Sequence, residues 1–423
     1  MLNTICIPTR TRPRVIYVGT FRFPEEDAAA ARVLGIGKAL RDLGCEVVFG
    51  GGEERERPED LQADGAFRYQ GFSYCSQNDV RNRPLPPVQR FLRYLRAGSN
   101  TLRWLRGQDT SDVAAIITYH GLTGFVRRLQ AFAAERRIPL IHDITEWPDP
   151  SQLVGGQFGI VRWDETTVRT ILYSRSANII AISSYLEEYY RRKKCRVIRI
   201  PPLVDLSDPK WPSGHRKIRK NDRLQLIYAG SPGKKDLLGN VFRGIAMLKK
   251  TGIEIALDLL GPSPTEVADC LGADRHLVGT LGSLITYHGR IPQPNVPRML
   301  AEADFSVVLR PDARYAHAGF PTKLVESLSA GLPILTNATS NITEYVRDGN
   351  EGFILRGCSP EDFVEGIGRV LGTPRERWAA MKGQARLRAG ECFDYRNYIE
   401  PLSAFFDNVA PTVMPLASAS YAR

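Results

Sequence analysis

The chain has 423 residues, too many for one compact core, so two domains of roughly 150–200 residues each are expected. Its composition, 43% hydrophobic, 24% charged and 9% aromatic, is that of a globular protein, and no uninterrupted apolar run reaches the ~18 residues of a spanning helix. The formal charge of +11 suits a phosphate-bearing partner, whether nucleotide, nucleic acid or lipid headgroup, without choosing among them.

The N-terminal stretch "MLNTICIPTRTRPRV" has no apolar core of the length a secretory signal needs. Seven scattered cysteines without a C-x-x-C pair argue against a disulfide framework or a zinc cluster, so a reducing cytoplasm is expected. Strand-like runs follow at 14–19, 45–50, 113–118, 139–144, 178–183 and 196–200. Amphipathic segments at 28–44 and 124–137 lie between them. Such alternation gives parallel sheets covered on both faces. The proline-rich, charged stretch 201–222 breaks the rhythm and reads as a linker. Alternation restarts with runs at 224–230, 253–261, 284–289, 304–309, 332–336 and 352–355. The expected architecture is α/β, two Rossmann-like doubly wound domains facing a cleft. Residues 1–205 form an N-terminal Rossmann-like domain, 206–222 a linker and 223–400 a C-terminal Rossmann-like domain. Residues 401–423 form a C-terminal helix and tail that can return to the first domain.

Ligands of open parallel sheets bind beyond the carboxyl ends of the strands, so the residues just after each strand are the candidates. In the first half, Arg22 follows the first strand, and Asp27 is a helix N-cap preceded by Glu25 and Glu26. "GIG" at 35–37 lies inside a helical pattern and is no dinucleotide fingerprint, which disfavours a nicotinamide-dependent dehydrogenase. Tyr119 and His120 end the third strand-like run. Asp143, Glu146 and Trp147 end the fourth. Carboxylates there can bind sugar hydroxyls and an indole can cover a pyranose face; a helix cap beside a packed tryptophan fits the same residues. With Arg22, these three are assigned to an acceptor pocket. Between Asp79 and Asp109 there are seven arginines and no acid, with Val88, Phe91, Leu92 and Leu95 at helical spacing. The segment 88–106 can lie on an anionic membrane surface, or pack its apolar stripe on the first sheet with a solvated basic face. No nucleic-acid motif accompanies the charge.

In the second half, "YAGSPGKKDLLGNVF" ends a strand at Gly230 and opens a helix with Lys234 and Lys235, either of which can neutralise a phosphate. The spacing is not that of a P-loop. "YHGRIP" offers Arg290 to a base or phosphate. "HAGFPTKLVESLSAGLPILT" places Pro321 in the first turn of a short helix, where its missing N–H is not needed. The backbone of Gly319, Phe320, Pro321 and Thr322 and the Lys323 ammonium can meet an anion at the positive end of that helix. Glu326, one turn on, can accept from two ribose hydroxyls, or can be a solvated surface carboxylate.

Taken in order, "YAGSPGKKD", "LDLLGP", "ITYHGRIPQPNVPRMLAEADFSVVLRP" and "GFPTKLVESLSAGLPILTN…EYVRDGNEGFIL" resemble the GT-B retaining glycosyltransferases of family 4, the glycosyl transferases group 1 type. The resemblance covers nearly the whole chain and centres on 224–356. It implies a retaining, metal-independent hexosyltransferase that uses a nucleotide-diphosphate sugar as co-substrate and no resident cofactor. Its acceptor is a glycan, glycolipid or small molecule, at a cytoplasmic site that can include the inner membrane face. It implies that Glu326 is the second glutamate of an E-x7-E motif and binds ribose, that Lys235 or Lys234 contacts the diphosphate, and that His120 contacts the donor sugar. Lys235, Lys323 and His120 are the catalytic candidates. Two positions depart from the pattern: Ala318 stands where the first glutamate belongs, and Ser231 replaces an arginine after the strand-end glycine. These departures keep two alternatives open, a non-catalytic GT-B subunit that binds a nucleotide sugar and a GT-B sugar-nucleotide epimerase.

Overall fold

Val113 to Thr118 carry no polar side chain before the threonine, and all six are buried. Such a run suits a central strand of a parallel sheet with both faces covered. In a computed structural model that describes residues 12–24, 27–53, 55–79, 86, 89, 94–212, 223–231 and 235–411, it is that strand. The first sheet contains β1 (Arg14–Gly19), β2 (Glu46–Gly51), β3 (Phe67–Tyr69), β4 (Phe72–Ser76), β5 (Val113–Tyr119), β6 (Leu140–Ile144), β7 (Asn178–Ala181) and β8 (Arg196–Arg199). Their order is β3-β4-β2-β1-β5-β6-β7-β8, parallel except for the β3–β4 pair. The second sheet contains β9 (Gln225–Ala229), β10 (Ala256–Leu260), β11 (Ile285–Gly289), β12 (Phe305–Val308), β13 (Ile334–Asn337) and β14 (Gly352–Leu355), ordered β11-β10-β9-β12-β13-β14 and parallel throughout.

In each sheet the strand order reverses around the first strand: β1 lies between β2 and β5, and β9 between β10 and β12. Reversal points open crevices at the strand ends. At two of these ends the chain requires glycine. Gly19 has φ 142° and a Cβ there would lie 2.2 Å from the Tyr119 carbonyl oxygen. Gly230 has φ 122° and a Cβ there would lie 2.8 Å from the Lys323 side chain. Both glycines let a neighbouring strand or side chain approach the switch point closely.

The helix Ala28–Asp42 starts where Asp27 accepts from the Ala30 N–H at 2.8 Å. The β3–β4 hairpin is absent from the strands expected above. Its strands are short, and its turn is carried by Gln70 and Gly71, both at positive φ. "YQGF" carried that signal, because a two-residue hairpin of this hand favours glycine.

The chain crosses between domains twice. Residues 203–206 run beside 393–395: the Val204 N–H donates to the Phe393 carbonyl at 2.9 Å and the Tyr395 N–H to the Val204 carbonyl at 3.0 Å. After the second crossing the helix Ile399–Val409 buries Leu402, Phe405 and Phe406 in the same apolar cluster as Val33, Ile36 and Leu40 of the first domain. A further apolar cluster belongs to both domains. In it Leu186 and Tyr190 meet Leu324, Leu328, Ile334 and Phe393. Among the described residues no helix is long and apolar enough to cross a membrane. Residues 213–222 of the expected linker and 412–423 of the tail lie outside the described residues.

Candidate active site

The two crevices face each other and enclose a cleft of about 650 Å³. One wall comes from the first domain, with Ala28 and Arg32 after β1, Tyr119 at the end of β5, and Thr145 and Glu146 after β6. The other comes from the second, with Ser231, Lys235 and Asp236 after β9, Arg310 after β12, and Gly319 to Lys323. Residues just past the strand ends thus wall this cleft.

The helix Thr322–Ser329 begins after Pro321 without a side-chain cap. The first N–H groups of a helix have no intrahelical acceptor, and here the residues that carry them, Thr322 and Lys323, line the cleft. The Lys323 ammonium is fixed beside them. It lies 2.8 Å from the Asp236 carboxylate and 5.1 Å from the centre of the Tyr228 ring, and the Tyr228 hydroxyl donates to the same carboxylate at 2.8 Å. Asp236 thus holds both groups through one carboxylate oxygen.

Arg310 was not singled out among the candidates, although it directly follows a strand. It is 4% exposed, its Nη1 donates to the Ala316 carbonyl at 3.0 Å, and its Nη2 points toward Gly319. Among the described residues no carboxylate pairs with it. Burial lowers its pKa from the usual arginine value, opposed by the more distant Asp236 and Tyr315. A buried cation without a counter-ion is unfavourable unless an anion arrives.

On the facing wall the charges are mostly satisfied internally. The Asp143 carboxylate is fully buried, paired with Arg32 at 2.7 Å and accepting from the Tyr17 hydroxyl at 2.5 Å. Asp143 is therefore a buttress for Arg32 beneath the cleft, and its assignment to the acceptor pocket is corrected. Trp147 is also displaced from that pocket. It packs edge-on against Tyr189 at 4.8 Å with the Arg314 guanidinium over its ring, and Pro148 reaches the cleft wall in its place. Glu146 does reach the cleft. It forms an ion pair across it with Lys235. Burial alone would raise its pKa, but His120, Lys235 and Arg169 together hold it down at about 2. Arg169 reaches the Glu146 carbonyl from a π-helical turn, Val168–Leu172, that redirects the side chain.

His120 sits at φ 57° just past β5, with Nε2 2.6 Å from the Thr145 hydroxyl, which also lies 3.1 Å from the Tyr119 hydroxyl. Burial pushes its pKa down to about 4, so the imidazole is neutral near pH 7. Thr145 is a further residue the sequence reading missed, because a threonine carries no distinctive pattern.

Two donor candidates do not wall the large cleft. Glu326 does not wall the large cleft. It opens onto a second cavity of about 90 Å³ shared with Lys210, Trp211, Gln293 and Val296, where burial raises its pKa against the opposing Lys323 and Lys210. The outward pitch of the helix puts it one turn below the tip. Arg290 is largely exposed, pairs with Glu266 at 3.7 Å and is not among the residues that wall the large cleft. Lys234 lies outside the described residues. Arg22 is half-buried in the loop after β1 and is not among the residues that wall the cleft. Of the stripe in 88–106, Val88, Phe91 and Leu92 lie outside the described residues; Leu95 is exposed, and the helix Ser99–Arg106 buries Thr101, Leu102 and Leu105.

The departure at position 318 has a structural counterpart. Ala318 is fully buried, its carbonyl accepts from Ser183 Oγ of the first domain at 2.8 Å, and the adjacent Gly319 faces the Thr145 carbonyl. A glutamate side chain there would enter the buried apolar cluster shared by the two domains.

The sequence profile of "Glycosyl transferases group 1" matches residues 216–388, and that of "Glycosyl transferase 4-like domain" matches 27–202. A D-inositol 3-phosphate glycosyltransferase from Nocardiopsis dassonvillei is 27% identical over 64% of this chain and 62% of its own length. The chain thus spans less than two thirds of that relative. A protein of the same description from Thermobifida fusca is 22% identical over 73% of this chain and 68% of its own. Among solved structures, a sucrose-phosphate synthase from Thermosynechococcus elongatus superposes with a TM-score of 0.69 at 15% identity, over 94% of this chain and 99% of its own. Anabaena HepE, solved with UDP and glucose, gives 0.66 at 13% identity over 94% and 100%.

Proposed function

The chain belongs to the group 1, family 4 glycosyltransferases of GT-B fold, and from that premise we propose that it transfers a hexose-type sugar from a nucleoside-diphosphate donor to a hydroxyl acceptor. The observation that carries this reading is the cationic wall: Lys235, Lys323, the buried Arg310 and an uncapped helix tip converge on one side of the cleft. In the transfer the bond from the anomeric carbon to the diphosphate breaks and the acceptor oxygen bonds to the same carbon. The acceptor proton passes to the departing phosphate oxygen, so no protein nucleophile is needed and configuration is retained. Charge grows on the diphosphate as this happens, and fixed cations and N–H dipoles act on that growing charge. These cations take the part a metal ion would otherwise play, which supports a metal-independent reaction without a resident cofactor.

On the facing wall, Glu146 is ionised and lines the same cleft as Gly319, where it can accept from sugar hydroxyls once the donor draws Lys235 away. Neutral His120, oriented by Thr145, offers a second polar contact to the sugar. Glu326 meets the donor ribose where the nucleoside passes from the helix tip toward the second cavity. We assign the protein to the cytoplasm. Uridine diphosphate and D-inositol 3-phosphate are the first donor nucleotide and acceptor to test, because solved neighbours hold the one and relatives are named for the other.

The first test is thermal unfolding against UDP, GDP, ADP, TDP and CDP. A ligand at a hundred times its dissociation constant stabilises by about 2.7 kcal/mol. One nucleotide should stand out, followed by product formation with a candidate acceptor; if none shifts the transition, the donor site is wrong. A second reading, a remodelled subunit that binds the donor without turning it over, is favoured by the burial of Ala318. It predicts a clear nucleotide shift and no product with any acceptor. An epimerase would instead change the sugar nucleotide with no acceptor present.

A further inference from the structure

Ten large apolar side chains stand exposed among the described residues, and five of them lie between 154 and 171. Val154 is 66% exposed, Phe158 91%, Ile160 64% and Trp163 67%, with Ile171 beyond them. The segment reads "VGGQFGIVRW" and consists of a 3₁₀ turn, Gly156–Phe158, followed by the helix Ile160–Thr167, none of whose residues is buried. Isolated exposed apolar residues are ordinary; a cluster with a phenylalanine almost wholly in water marks a surface that meets something.

Its surroundings identify the partner's chemistry. The Arg162 guanidinium lies over the Trp163 ring and donates to the Gln157 carbonyl. The Asp164 carboxylate accepts from the Thr123 N–H at 3.1 Å and is bonded to the Tyr94 hydroxyl, which fastens this helix to two arginine-bearing segments. Arg96, beside exposed Leu95, and Arg127, one turn into the helix from Thr123, are both exposed. Residues 94–106 contain no acid. Aromatic and aliphatic tips rimmed by arginines match the boundary layer of a bilayer carrying anionic lipids, where apolar tips enter the acyl margin and guanidinium groups meet phosphates. The same segment leads into the cleft, which Gln152, Leu153 and Glu165 help to wall.

We propose that the face formed by 154–163 with Leu95, Arg96 and Arg127 docks on an anionic phospholipid surface and opens the cleft toward it, so that the acceptor arrives as the headgroup of a lipid. The docking stands on this surface alone; the acceptor's identity as a lipid headgroup rests on the transferase reading.

The test is sedimentation of the full-length protein with vesicles of phosphatidylcholine alone or mixed with phosphatidylglycerol, at low and high salt. Wild type should pellet with the mixed vesicles only, less so at high salt. Phe158→Glu/Ile160→Glu should weaken that partition at least about tenfold while keeping the wild-type melting temperature and nucleotide shift. Absence of wild-type binding to mixed vesicles, or equal binding by the double variant, overturns the proposal. So does a concentration-dependent dimer in sedimentation velocity that the variant abolishes, since that assigns the face to a second copy. Vesicle binding without any nucleotide shift would leave the docking intact and remove the transferase reading.

Discussion

The two walls of the cleft handle charge in opposite ways. In the first domain the charges neutralise one another within the wall: Asp143 is spent on Arg32 and Tyr17, and Glu165 on Arg169. In the second domain Lys323 is held by one carboxylate that a tyrosine shares, and among the described residues no carboxylate pairs with Arg310. A wall with closed charge pairs offers hydroxyls, carbonyls and one ionised carboxylate, which suits neutral, hydroxyl-rich partners. A wall with surplus buried positive charge is complete only when an anion is bound. The difference argues that donor binding, more than acceptor binding, sets the energetics of this cleft.

Four substitutions or conditions sharpen that contrast. Asp143→Ala leaves Arg32 buried without its partner and should cost about 3–5 kcal/mol of stability, read as a large drop in denaturant midpoint. If the protein tolerates it, the first wall is not internally paired. Lys323→Met should lower kcat/KM by about 10²–10³-fold, the usual cost of removing a group that stabilises developing charge, and should also lower the melting temperature because Asp236 loses its cation. An unchanged rate would move the chemistry away from the helix tip.

Acid provides the third probe. Burial holds His120 at about 4 and His142 at about 3, both below the ordinary histidine value. The unfolded chain therefore binds more protons below about pH 6.5, so stability is level above that pH and falls as pH drops toward 4, by on the order of 1–3 kcal/mol per histidine. His142→Gln, which keeps a partner for Ser176, should flatten part of that slope. A slope unaffected by the substitution would place the acid sensitivity elsewhere. The smallest expected effect belongs to Arg310→Met. It should weaken nucleoside-diphosphate binding about tenfold while leaving the ligand-free melting temperature unchanged or raised, because it removes an uncompensated buried charge. A lowered melting temperature with unchanged nucleotide affinity would make Arg310 a structural strut.

Most of the architecture was legible because parallel strands buried on both faces read as apolar runs, and twelve of these runs, from 14–19 to 352–355, became strands. Strand-end position then found the cleft. It could not distinguish a side chain pointing into the cleft from one turned below it: Glu146 and Asp143 are three residues apart, yet one reaches the cleft and the other is sealed under it. Arg290 is set apart from the large cleft because the end of β11 lies at the sheet edge, two strands from the reversal point. Arg310 was passed over because a lone arginine has no pattern; only burial without a counter-ion distinguishes it.

The paired crossings at 203–206 and 393–395 set how the two walls can move. Two chains joined side by side by main-chain hydrogen bonds resist shear and twist but can flex together, like a leaf hinge with a single axis. With the helix Ile399–Val409 anchored in the opposite domain, neither chain can slip along its neighbour. Any breathing of the cleft is thus confined to a narrow arc that returns Lys235 to the same place opposite Glu146, and alignment after each opening is a property of the tether as much as of the walls.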